Sequence, residues 1–131
     1  MHKTILALTL STALTGLALA QTAGPKFITP QANDLISSRV VGLDVYDNTN
    51  HDVGKIQDIV FDNSMTIKGY ILSVGGFLGM GERYVAVEPS SVAVKYDDND
   101  KKWHANMNAT SDQLKAAPEF KYSGRWSSSK S

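Results

Sequence analysis

Val53-Gly54-Lys55-Ile56-Gln57-Asp58-Ile59-Val60-Phe61-Asp62 reads as one extended run whose alternation changes phase halfway. Gly54 and Ile56 sit on even positions, whereas Ile59 and Phe61 sit on odd ones. Successive side chains of a strand point to opposite faces, so the two halves of an unbroken run would present their apolar residues to different sides. A β-bulge near Gln57-Asp58 reconciles them, because it adds one unpaired residue and flips the register.

Working outward, Thr66 to Val74 is rich in Ile, Tyr and Val and contains Gly69, where a missing side chain permits a bend or the close approach of another backbone. Upstream, Arg39 to Tyr46 sets Val41, Leu43 and Val45 on one face and ends in the turn-forming Asp47-Asn48-Thr49-Asn50-His51-Asp52. Downstream, Gly75 to Gly81 leads into Arg83-Tyr84-Val85-Ala86-Val87, whose end is marked by Glu88-Pro89. Ser91 to Tyr96 aligns Val92, Val94 and Tyr96, and Asp97-Asp98-Asn99-Asp100 turns the chain into Lys102 to Met107, which aligns Trp103, Ala105 and Met107. Turn clusters at intervals of about ten to fifteen residues are the pattern of a small sandwich or barrel. The expected fold is all-β, a small six-stranded antiparallel barrel, closed so that no strand edge is exposed.

After Thr110-Ser111, either of which can cap a helix, Asp112 to Ala117 predicts a short C-terminal helical turn stopped by Pro118. Leu114, Ala117 and Phe120 are placed to cover one open end of the barrel. The folded part is thus expected over 33–122. Residues 21–32, with Gly24, Pro25 and Pro30, read as a linker, and the Ser-rich 123–131 as a disordered tail.

The first twenty residues have the three parts of a cleavable signal peptide: a positive start at Lys3, an apolar run from Ile5 to Leu19, and the small-x-small site Ala18-Leu19-Ala20 before Gln21. The run is shorter than the roughly 20 residues of a membrane span, and no second apolar stretch follows it. The expectation is an exported protein, periplasmic or secreted, cleaved after Ala20, with no transmembrane segment in the mature chain.

Removing that leader leaves 111 of the 131 residues, room for one compact domain, with 12 basic side chains against 13 acidic ones. Such a balance has no clustered basic face to displace counterions, so nucleic acid is not an expected partner. The chain has no cysteine, which excludes a thiol nucleophile, a cysteine-ligated metal and a lipid-modified cysteine.

Three segments in succession resemble the PRC-barrel family: Gly54 to Asp62, Ile67 to Gly81, and Tyr84-Val85-Ala86-Val87-Glu88-Pro89. The family is named for a domain of the photosynthetic reaction centre H subunit and also occurs in a ribosome-maturation factor. The resemblance covers roughly 33–120, and the ending from Leu114 to Tyr122 is similar to that of exported bacterial members. It implies a small six-stranded β-barrel acting as an interaction or assembly module, with no catalytic residues to carry over. Function inferred from fold is analogy, and the export signal sets this chain apart from those two members.

Possible chemistry is sparse. Gly75 to Gly81, which contains the loop Gly76-Phe77-Leu78-Gly79-Met80-Gly81, invites a phosphate-loop reading, but no Lys-Ser or Lys-Thr follows and the next element is a strand, not a helix. Its apolar side chains either tuck into the barrel mouth or, left exposed, form a patch that marks an interaction loop; this loop is the candidate site. Asp97 to Asp100 offers oxygen ligands without the spacing of a calcium loop and reads as a solvated turn. His51 and His104 read as surface histidines; Asp44, Asp58 and Asp62 fall on the expected strands and offer a carboxylate pair for acid/base work, but aspartates at strand ends more often satisfy turn backbone groups. No serine has an adjacent His-and-Asp arrangement. The expected function is a non-enzymatic exported module binding an unknown protein or envelope component, with no cofactor and no metal; the alternative is a small-ligand or metal-binding periplasmic protein.

Overall fold

The computed structural model describes residues 24–75 and 81–127. The chain divides into two units, Met1–Ala32 and Asn33–Ser131. The expected signal peptide lies outside the described residues. Residues 24–31 carry neither helix nor strand, and the Gln31 side-chain amide donates to the Thr29 carbonyl at 2.9 Å.

The second unit opens with one helical turn, α1 (Ser37–Val40), followed by β1 (Asp44–Tyr46), β2 (Asp52–Phe61), β3 (Ile67–Val74), β4 (Arg83–Val87), β5 (Ala93–Asp97), β6 (Lys102–Asn106) and α2 (Ser111–Ala116). The first strand is shorter than the alternation from Arg39 predicts. Gly42 takes φ 97°, a left-handed conformation that breaks the extended run, so Val40 is buried from α1 while Val41 is exposed.

The bulge is found where the phase change places it. β2 and β3 pair antiparallel with Ile56 opposite Leu72 and Asp58 opposite Ile71, leaving Gln57 as the extra residue. Ile56 and Ile59 therefore both face the core, Ile56 fully buried and Ile59 packed against it. Phe61 does not follow them: a second irregularity between Val60 and Phe61 carries it outward, where it is exposed. Gly69 answers to the close approach its type predicts, since a Cβ there would collide with the carbonyl oxygen of Val87.

The six strands do not close. Their order is β4-β3-β2-β1-β6-β5, with β4 and β5 at opposite edges, and β1 runs parallel to β6. The expectation of a closed antiparallel barrel is thus corrected to an open mixed sheet. The reason lies at Pro89–Ser91, a 3₁₀ turn in place of the hairpin that would have laid β5 beside β4; Pro89 has no N–H to give a ladder. Val85 of β4 nevertheless shares one buried cluster with Val45, Val53, Ile56, Leu72, Ala105 and Met107, so the sheet curls enough for its two ends to enclose a common core.

The edge of β4 is guarded instead by the chain beyond α2. Phe120 donates its N–H to the Tyr84 carbonyl at 2.7 Å and forms an antiparallel bridge there. Extending that bridge would set Pro118 opposite Ala86, and proline has no donor, so the ladder stops after one pair. α2 begins as the sequence predicts: Thr110 accepts from the Gln113 N–H at 3.1 Å while the Gln113 side chain accepts from the Thr110 N–H at 2.9 Å. Leu114 is buried in the shared core and Ala117 packs against it.

Candidate functional site

Within the sheet formed by β2, β3 and β4, the core face carries Ile56, Leu72 and Val85, and strand alternation assigns Asp58, Ile71 and Ala86 to the opposite face. Asp58 pairs with Ile71 and Ile71 with Ala86, so the three stand in one row across the strands; Val60 and Gly69 form part of the next. Ile71 lies outside the core cluster, yet it is only 4% exposed.

What covers it is the segment after α2. The Arg83 guanidinium, reaching from β4, donates to the carbonyls of Lys115 and Ala117 and so ties the end of α2 to the sheet; its Nε is buried without a partner among the described residues. The chain then passes the Phe120 bridge and reaches Tyr122, whose hydroxyl donates to Asp58 Oδ2 at 2.5 Å. Aromatic packing locks the strap: Tyr122 meets Tyr84 at 5.2 Å and Phe120 at 5.0 Å between ring centroids, both edge-to-face, and Phe120 meets Trp126 in a tilted pair at 5.8 Å. Burial, followed by the bond to Asp58, pushes the Tyr122 phenol above its ordinary value of 10.0. Of the tail expected to be disordered, Gly124–Trp126 is a 3₁₀ turn held to the strap by the ring contact between Trp126 and Phe120.

Between strap and sheet lies a groove of about 660 Å³. Val60, Ile71, Val87 and Phe120 give it an apolar lining, and Phe61 and Trp126 stand at it 45% and 64% exposed. Its charged groups are Asp58, Lys68 and Glu88. Such a concave, mostly apolar space with a few polar groups has the character and size of a binding site.

Of the residues singled out from sequence, Asp58 lines this groove. Gly76, Phe77, Leu78, Gly79 and Met80 lie outside the described residues; Gly81 is exposed with φ 75°. The carboxylates do not pair with one another: Asp44 meets Lys55 at 3.3 Å, Asp58 takes the Tyr122 hydroxyl, and Asp62 accepts the Ser64 and Thr66 amides of its turn. Ligand atoms of Asp97, Asp100 and His104 come within 4.8 Å of one another, with His104 Nε2 at 2.6 Å from Asp100 Oδ2. In both aspartates, however, Oδ1 already accepts an amide of the turn, from Asn99 and Lys102, which is the work of a hairpin corner. His51 is engaged by Thr49 at 2.8 Å in the turn organised by Asp47. That carboxyl is held below its ordinary value of 3.8, first by the His51 amide and next by the Thr49 hydroxyl.

Sequence reading placed Phe120 on the core side and did not single out Tyr122 and Trp126 as part of a site. The available signal was the spacing of Phe120 and Tyr122, two aromatics on one face of an extended segment. Among the described residues no helix is long and apolar enough to cross a membrane. In comparison with known proteins, the family model described as PRC-barrel domain matches residues 33–113. No curated protein matches the chain.

Proposed function

The chain belongs to the PRC-barrel domain family, and from that premise we propose that it is an exported, non-enzymatic binding module that engages a protein or another component of the cell envelope. The observation that carries this reading is the groove beside the aromatic strap. Two large apolar side chains, Phe61 and Trp126, remain in water at its margin, although a small domain gains most by burying such groups. Export is supported by the three-part leader at the N-terminus, and binding without chemistry by the division of the carboxylates among an ion pair, a tyrosine and a turn.

The experiment is in-cell photocrosslinking with a benzoylphenylalanine at position 61 or 126, with position 95 on β5 as control. The expected result is a discrete adduct from 61 and 126 that is absent from 95. Adducts equally strong from 95, or none from any position, would refute the groove as the binding face. A second reading, a small-ligand protein, is favoured by the groove volume of about 660 Å³, within the usual range for such sites. It predicts adducts of low mass in place of a protein.

A further inference from the structure

We infer that the groove is anchored by a basic side chain of a protein partner, an arginine set among the aromatic rings and carboxylates that line it; this rests on the groove reading above and specifies the chemistry of what enters. The lining brings together two kinds of group that favour a guanidinium. Phe61, Phe120 and Trp126 bring aromatic rings to it, and a guanidinium stacks on such rings through cation–π attraction and dispersion. Asp58 and Glu88 offer carboxylate oxygens.

Those carboxylates have capacity to spare. Asp58 spends Oδ2 on the Tyr122 hydroxyl, which leaves Oδ1, and Glu88 makes no ion pair and no side-chain hydrogen bond among the described residues. Asp58 stands on β2 and Glu88 just beyond the end of β4, with Ile71 and Ala86 between the two strands' edges, so an entering cation meets negative charge from both sides of an apolar floor. Lys68 is the one basic group of the lining and opposes such a ligand. Two carboxylates against one ammonium leave the groove negative, and its low-polarity floor strengthens the attraction relative to open water. Arginine fits better than lysine, because its planar group can stack on a ring and donate from its edge to a carboxylate at the same time, whereas an ammonium is a strongly hydrated point charge. The aliphatic part of the same side chain covers Val60.

The test titrates the full chain with the peptide acetyl-Val-Arg-Val-amide, its citrulline isostere, the lysine version and free butylguanidinium, following the Trp126 indole N–H and the Glu88 amide by NMR up to 10 mM ligand. The arginine peptide is expected to shift both signals, and citrulline to bind about tenfold more weakly, as loss of charge-assisted hydrogen bonds implies. Glu88→Gln should weaken the arginine peptide about threefold and Lys68→Gln should strengthen it; both positions are exposed, so the fold is retained.

Equal binding of arginine and citrulline peptides would overturn the anchor and leave the groove standing. Butylguanidinium binding as tightly as the peptide would overturn the protein source. If no peptide binds while neutral Nile red does, and Phe61→Ser removes the dye, the anchor falls and the groove remains; if neither binds, both fall.

Discussion

Replacing Gly69 by alanine isolates the contact that sets how closely β3 and β4 approach beneath the groove. No left-handed conformation is involved at this position, so the backbone itself tolerates an L residue, and a glycine inside a strand ordinarily costs about 0.5–1 kcal/mol relative to alanine. On propensity alone Gly69→Ala should stabilise. The structure reverses the sign: the new Cβ would overlap the carbonyl oxygen of Val87, a backbone atom that cannot swing away as a side chain would. Relief requires β4 to move, and overpacking of this kind costs about 1–3 kcal/mol. Taking the upper end for a backbone collision and subtracting the propensity gain leaves a net loss of about 2 kcal/mol. For a domain of this size that lowers Tm by roughly 8–12 °C. Urea denaturation and differential scanning calorimetry of the variant would measure it, with Gly24→Ala as control because nothing lies within 4 Å of a Cβ there. Gly54→Ala should behave like Gly69→Ala, its Cβ falling 2.6 Å from the Ser73 carbonyl oxygen. A Gly69→Ala protein as stable as the parent, or more stable, would refute the packing of β3 against β4 described above.

Tyr122→Phe should cost about 1 kcal/mol in urea denaturation, the net worth of one intramolecular hydrogen bond, and free the strap from Asp58. Because folding raises the Tyr122 pKa, its contribution to stability is complete below about pH 10 and is lost as the pH rises beyond that; in a spectrophotometric titration Tyr122 should ionise above its ordinary value of 10.0, and the Phe variant should lose that step. Thr110→Ala removes half of the reciprocal cap of α2 and should destabilise by about 1 kcal/mol, with faster amide exchange at Gln113 as the local sign. Asp47 has the opposite pH dependence to Tyr122: its folded pKa is depressed, so its contribution is present above the ordinary value of 3.8 and lost as the pH falls below it, and Asp47→Asn should flatten the decline in stability between roughly pH 5 and 3.

Local order was legible because local physics makes it. The phase change between Ile56 and Ile59 located the bulge at Gln57, since a strand can present both residues to one core only by inserting a residue. Thr110-Ser111 marked the start of α2, and the run from Asp97 to Asp100 marked a turn whose carboxylates accept its own amides. The first strand was overdrawn because Val41-Leu43-Val45 alternates as a strand does, while Gly42 in a left-handed conformation ends that strand early.

The alternating aliphatics and the three family segments together determined a six-stranded sheet of the PRC-barrel kind with a single core. Whether the sheet closed, and what its other face carried, was decided only in three dimensions. Strand order depends on which edges meet after the turn at Pro89–Ser91, and alternation is identical for an open and a closed sheet. The groove depends on Phe120 and Tyr122 returning to Tyr84 and Asp58, contacts that span 36 and 64 positions along the chain, and no periodicity within a segment encodes a partner so far away.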